Sequence, residues 1–368
     1  MSNSLMDVRI SGFGSLRDVH LQPGRLTVLV GANGSGKSNV LRALQMVPLM
    51  RTGSLQRFVG EAGGAAALLH YGPKRTPMLS VRLEFCQAGK YNTYEARLGF
   101  AAGDRLMYMD ELVGYQASAS SPPRVTSLGA GHWESELTAQ KDTDPTARTV
   151  SYWLSQLTFF HFHDTSMTAA LRTHARPDDD QFLRSNGSNL AAYLRRLAQS
   201  DEEDDRKAWR RINQIVRRIA PAIKELAPTV VNASAVRLDW IDDQDERFGT
   251  HQLSDGTLRT IALVTALAQP TRTLPRFMSI DEPELGLHPA AIALLAELAR
   301  SISRHTQVLF ATQSTEFLNH FQPDEVVVVD RVGGASTLTR PEPDVLAQWL
   351  EDYSLAEVFD KGVIGGRP

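Results

Sequence analysis

LTVLVGANGSGKSNVLRAL, residues 26–44, decides the fold. An apolar strand, a glycine-rich loop and a helix follow one another without a break, and GANGSGKS from Gly31 to Ser38 fits the pattern G-x-x-x-x-G-K-[ST]. Glycines let backbone N–H groups turn inward around phosphate oxygens, and the helix N-terminus adds the positive end of its dipole. Lys37 then neutralises the β- and γ-phosphates, and Ser38 supplies a ligand to Mg²⁺. The expected ATP-binding set is Gly31, Ala32, Asn33, Gly34, Ser35, Gly36, Lys37, Ser38 and Asn39.

Outward from this loop, short strands are expected near 7–11, 17–21 and 26–30, and a helix from Lys37 to Val47. MLSVRLEF, YNTYEARLGF and RLMYMDELVGY alternate apolar and polar residues, which predicts antiparallel strands turning at Gly89 and Gly103. Residues 116–148, rich in Ser, Pro, Gly and Thr, read as a loop, followed by a helix near 148–157 and the strand-like LTFFHFH. From 165 to 226 the pattern is helical. Leu190, Leu194 and Leu197 form one stripe, Trp209, Ile212, Ile215, Ile219 and Ile223 another, with the acidic run DEEDD (201–205) as a solvated turn between two helices. Strands at 235–241 and 247–252 lead to helix 255–269, strand 276–280, helix 289–302, strand 307–311, helix 314–320 and strand 325–330. Strands alternating with helices predict a parallel sheet with covered faces.

A second carboxylate-bearing strand end belongs to the same chemistry. In RFMSIDEPELGLHP, from Arg276, the apolar strand ends in Asp281-Glu282, at the carboxyl edge where parallel α/β sheets bind ligands. Asp281 is placed to hold the metal, and Glu282, one residue on and pointing elsewhere, to polarise the attacking water. A third element, Leu253-Ser254-Asp255-Gly256-Thr257, is a turn entering a mostly apolar helix. Ser254 can cap that helix and Gly256 lets its backbone approach an anion, so the chain carries two anion-binding turns.

These motifs, in this order, resemble the ATP-binding-cassette ATPases and, within them, the SMC/RecF-like group of chromosome-maintenance and DNA-repair ATPases. The resemblance covers about 1–50 and 245–330: RISGFGSLRDVHLQPGRLTVLVGANGSGKSNVLRAL opens like RecF-like proteins, LSDGT stands at the signature, SIDEPELGLHP at the Walker B and D-loop, and FATQS at the switch. The tail GVIGGRP is similar to that of small stand-alone RecF-like ATPases. The resemblance implies an α/β P-loop NTPase of ABC/SMC-head type, with a mostly parallel sheet, an antiparallel N-terminal lobe and an inserted short helical arm. It implies lobe I over 1–164, the insertion over 165–234 and lobe II over 235–368. It also implies an ATP-dependent homodimer, in which Leu253, Ser254, Asp255, Gly256 and Thr257 of one copy meet the γ-phosphate held by Lys37 of the other.

Two positions depart from the family pattern. Gln313 occupies the switch place usually held by His, where it can bond a phosphate or water but carries no charge. The Q-loop glutamine has no secure match; His163, beside Asp164, is the candidate for that place and for contact with metal-bound water, against an ordinary partly buried histidine. His161 and His163, two apart, are expected to share one strand face as a metal pair would, but without a third ligand nearby no dedicated transition-metal site is expected. On the second insertion helix Arg210 with Arg217, and Arg211 with Arg218, repeat at seven-residue spacing opposite the isoleucines, a face suited to DNA phosphates or, balanced by DEEDD and DDD (178–180), simply a solvated one.

Composition limits the remaining classes. A net charge of −3 excludes a general polyanion coat, so any nucleic-acid surface is local. The single cysteine excludes an internal disulfide and fits a reducing cytoplasm. No leader pattern opens the sequence and no stretch approaches the roughly 18 apolar residues of a membrane span, which predicts a soluble cytoplasmic protein. About fifty residues follow the switch without an acidic nuclease constellation, so the second functional reading is an ATPase regulatory subunit of an antiviral defence or toxin system, gating a separate nuclease as effector.

Overall fold

The computed structural model describes residues 4–342, 346 and 349–365, so the last three residues of the GVIGGRP tail lie outside the described residues. The chain divides into two compact units: Met1–Thr158 with Arg276–Ser279 and Gln307–Pro368, and Phe159–Pro275 with Ile280–Thr306.

The first unit contains an antiparallel sheet and a mixed sheet. In the antiparallel sheet, β1 (Ser4–Phe13) pairs with β2 (Leu16–Leu21) and with β4 (Met78–Gln87), which continues through β5 (Lys90–Ala101) to β6 (Arg105–Gln116). The alternation read from the sequence is present, with Leu79, Val81, Leu83 and Phe85 buried along β4. The β4–β5 hairpin turns on the two residues Ala88-Gly89, both at positive φ as the right-handed strand twist demands of so tight a turn, and the β5–β6 hairpin on the three residues 102–104, of which Gly103 and Asp104 have positive φ.

In the second sheet, β3 (Leu26–Val30) is buried at every residue, which is why it reads as a continuous apolar run. It lies between β13 (Gln307–Thr312) and β14 (Val326–Val332), both parallel to it. The order is completed by β15 (Ala335–Thr339), antiparallel to β14, and on the other side by β12 (Phe277–Asp281) and β8 (Leu157–Phe160). Helix α1 runs from Lys37 to Arg51, beyond the expected end at Val47, with Pro48 in its last turn, and the short helices α2 (Leu55–Glu61) and α3 (Ala65–Leu68) follow.

Residues 116–148 are more ordered than their composition suggests. β7 (Arg124–Gly129) pairs antiparallel with β6, and helices α4 (Leu137–Gln140) and α5 (Pro145–Ser155) follow. Only Leu128 of β7 is buried, so this strand is fixed by backbone pairing and leaves no apolar alternation to read.

In the second unit the helical expectation for 165–226 fails at both ends. Residues 165–189 hold one 3₁₀ turn, Ala170–Arg172, and are pinned by Asn189, whose side chain accepts from Arg184 N and donates to Asp179 O and Phe182 O. After α6 (Leu190–Gln199) and α7 (Glu203–Ile219) the chain forms β9 (Glu225–Asn232), paired with β10 (Ala235–Ile241), which pairs with β11 (Arg247–Gly249). The insertion is therefore a helical hairpin with a small sheet, and 250–252 is a 3₁₀ turn rather than strand.

DEEDD is also not a solvated turn. Most of it is the first turn of α7, and Asp205 is buried, three residues before Ala208 and seven before Ile212 on the apolar face. Its carboxylate accepts from Arg196 of α6 at 2.7 Å and from Arg272 at 2.5 Å. Removing one member of a buried ion cluster strands the others, so Asp205→Ala should lower unfolding free energy by about 3–5 kcal/mol in urea titrations. A loss under about 1 kcal/mol would mean the cluster behaves as an exposed one.

Candidate functional site

In the first unit, β3 delivers the chain into the phosphate loop and α1 begins at Lys37. Gly36 has φ +115°, and a Cβ there would lie 2.0 Å from Ser336 Oγ and 2.6 Å from Ser15 Oγ. At Gly31 a Cβ would meet the Val329 carbonyl of β14 at 2.2 Å. Both glycines are thus required by the packing behind the loop, and Gly36 also by its backbone conformation. The Ser336 hydroxyl donates to Ser35 O (2.5 Å) or to Ser15 Oγ (2.6 Å), and Asn39 Nδ2 donates to Ser15 Oγ at 2.8 Å. Lys37 is buried, its Nζ donating to Gly31 O (2.6 Å) and Ala32 O (2.9 Å), while Ser38 is exposed. Among the described residues the buried Ser35 hydroxyl finds no partner, an orphan that a phosphate oxygen would satisfy. With the glycine cradle and the helix N-terminus, this fits a nucleotide phosphate chain.

The parallel register adds Gln313 to this edge. Thr312 pairs with Val30, so Gln313, exposed and one residue on, stands level with Gly31, the first residue of the loop. Ser336 escaped the sequence reading because β15 was not recognised, and nothing in its neighbours marks it.

In the second unit, helix α8 (Asp255–Ala268) starts at the signature turn, where the Ser254 hydroxyl accepts from Thr257 N at 3.2 Å as N-cap. Leu253 is buried and anchors the turn, while Ser254 and Asp255 are exposed. Arg172 braces it from behind, donating to Thr250 O, to Leu253 O (3.2 Å) and to Asp255 Oδ1 (2.7 Å). Gly256 has ordinary φ; its missing Cβ makes room for the Gly286 carbonyl of the D-loop, which would lie 2.4 Å away. Gly256 thus serves an internal contact besides any anion.

β12 ends in half-buried Asp281, and Glu282 follows at φ +41°, a conformation that a residue with a Cβ adopts only when its surroundings impose it. Arg259 of α8 reaches this turn, donating to Glu282 O and, at 2.9 Å, to Leu285 O. His163 Nδ1 is 3.3 Å from Arg259 Nη2, and partial desolvation together with that cation holds the imidazole below the ordinary histidine pKa. The neutral ring then has Nδ1 accepting from the guanidinium. His161 lies beyond the end of β8, so the two histidines do not share a strand face, and among the described residues no three of His, Cys, Asp and Glu gather into a metal-holding group. Mg²⁺ commonly takes one or two protein oxygens and completes its shell with substrate phosphates and water; Ser38 of the first unit and Asp281 of the second each carry an oxygen of that type. Arg210, Arg217 and Arg218 lie on the exposed face of α7; Arg211 departs from that pattern, half-buried, with its Nε finding no partner among the described residues. Arg217 stands 3.6 Å from Asp243 in an exposed pair.

Residues 26–91 and 164–319, well over half of the chain, match the family described as "AAA domain, putative AbiEii toxin, Type IV TA system". Among solved structures the chain is similar to an Smc head bound to the C-winged helix domain of ScpA, at 16% identity and TM-score 0.61, covering 94% of this chain and 99% of that one. It is also similar to an Smc head with an extended coiled coil bound to the C-terminal domain of ScpA from Pyrococcus furiosus (16% identity, TM-score 0.62, 95% and 99% covered). A third is an Smc head with a coiled coil and joint from Pyrococcus yayanosii (12% identity, TM-score 0.55, 95% and 99% covered). At these identities the likeness establishes the fold alone, that of an Smc head. No curated protein matches the chain in sequence.

Proposed function

This chain belongs to that AAA-domain family, and on that premise we propose that it binds and hydrolyses ATP as a nucleotide-dependent homodimer whose two sites are each completed by the partner's signature turn. The observation that carries the reading is the signature turn itself: rigidly braced by Arg172 and Leu253, it leaves Ser254 exposed at a helix N-terminus, prepared for an anion. Lobe I (1–164) supplies the phosphate loop and lobe II (235–368) the remaining motifs, with 165–234 inserted between them. Residues Gly31 to Asn39 cradle the triphosphate, with Lys37 neutralising its β- and γ-oxygens. Mg²⁺, when bound, would be held by Ser38 and Asp281, with His163 contacting its water, and would neutralise phosphate charge. Glu282 polarises the attacking water and Gln313 orients it without adding charge, which favours slow turnover.

The dimer is proposed to act on DNA in repair or genome maintenance in the cytoplasm, through the arginine face of α7. Among the described residues no helix is long and apolar enough to cross a membrane. A second reading is favoured by the family's description: the ATPase is the regulatory partner of a separate effector in a toxin or antiviral defence system. Measuring ATP turnover with and without duplex DNA, and molecular mass in each nucleotide state, tests both. On the DNA reading, exchanging Arg210 and Arg217 for Gln lowers the salt slope of duplex binding by about two. Absence of duplex binding, with a co-purifying nuclease, would decide for the second.

A further inference from the structure

Every residue of α8 from Leu258 to Ala268 is buried, and one of them, Arg259, is a cation. Its guanidinium spans the turn after β12. One nitrogen donates to the Glu282 carbonyl and approaches His163 Nδ1 at 3.3 Å, and the other donates to the Leu285 carbonyl at 2.9 Å. The Leu285 N–H itself closes the turn onto Glu282 O at 3.2 Å, and Gly286 packs against Gly256 one helical turn from Arg259. The arginine therefore reaches from the helix that begins at the signature to both ends of the turn that begins at Glu282.

We propose that Arg259 is a positioning residue for hydrolysis: by fixing the Glu282 and Leu285 carbonyls it holds Glu282 in its left-handed backbone conformation and transmits displacement of the signature helix to the Glu282 carboxylate. The inference rests on the role of Glu282 proposed above. Geometry, rather than charge alone, does the holding. A planar guanidinium can satisfy two carbonyls at once, whereas a lysine ammonium is a point donor on a flexible stem. Burial opposes the Arg259 charge, and the nearby Glu284, Glu282 and Asp281 carboxylates counter that effect, so a neutral substitute would also unbalance the acidic turn.

The experiment uses the full chain with Arg259→Lys, Arg259→Gln, Glu282→Gln and the double change Arg259→Lys/Glu282→Gln. Circular dichroism monitors folding, a fluorescent ATP analogue reports binding, and phosphate release gives kcat and KM. Misplacing a catalytic group by about 1 Å costs on the order of a hundredfold, so Arg259→Lys is expected to lower kcat about ten- to hundredfold with KM and analogue binding nearly unchanged. Groups acting as one unit are not additive, so Arg259→Lys should not lower the residual rate of Glu282→Gln further. Wild-type kcat in Arg259→Lys, a raised KM at unchanged kcat, or fully additive losses would overturn the proposal. Unfolding of both single Arg259 variants would assign the side chain to core stability and overturn it as well. Full activity in Glu282→Gln sinks the premise and this inference with it; inactive Glu282→Gln beside normal Arg259→Lys sinks this inference alone.

Discussion

Glu282→Gln should leave ATP binding intact, slow phosphate release by about 10²–10⁴-fold and accumulate an ATP-bound dimer. The amide is nearly isosteric with the carboxylate, so the strained turn after β12, held through its carbonyls by Arg259, survives the change. What disappears is the carboxylate proposed to polarise the attacking water. Binding relies on the first unit, where the glycine cradle and Lys37 are untouched. Lys37 must exchange its bonds to Gly31 O and Ala32 O for phosphate oxygens, a rearrangement independent of Glu282. Light scattering with ATP and Mg²⁺ should therefore report a doubled mass that persists in the variant and decays in the wild type. A saturated monomer would remove the basis for a nucleotide-joined dimer.

The parts of this machine that were legible in the sequence are those written in consecutive residues. β3 could be read because a strand buried on both faces is apolar throughout, and the loop after it because its glycines are demanded by backbone geometry within six residues. The hairpins at Gly89 and Gly103 were legible for the same reason. The bracing side chains were not. Arg172 meets the signature turn from about eighty residues upstream, and Ser336 reaches the phosphate loop from the far end of the chain. Charge misled where it was assumed to be outside: Asp205 looks like one acid among several, although its period with Ala208 and Ile212 marks the inner face. Arg259 carried a usable signal, a lone cation inside an apolar helix, which needs a buried partner. The edge strands β7, β9 and β15 lacked alternation because neither of their faces is buried along its length.

Ser254→Arg should abolish turnover while sparing ATP binding, for a reason located in the second unit. Ser254 is exposed and its cap on α8 is one side-chain bond to Thr257 N, so its loss costs only about 1 kcal/mol of stability. An arginine there replaces a small hydroxyl by a long cation at the turn proposed to meet the partner's γ-phosphate. Closure of the dimer is blocked, and with it the completion of either site. The Lys37 loop of the same chain remains free to bind. Mixing separates a shared site from a self-contained one. Ser254→Arg protein has intact phosphate loops and Lys37→Ala protein has intact signatures, so a two-fold heterodimer of the two holds one wild-type interface and one doubly broken one. Each variant alone should be inactive, and the mixture should regain a fraction of wild-type phosphate release that rises with total concentration. A self-contained site has no means of complementation, so an inactive mixture of folded, ATP-binding Ser254→Arg and folded Lys37→Ala, or full activity in Ser254→Arg alone, would place the signature turn outside the reaction.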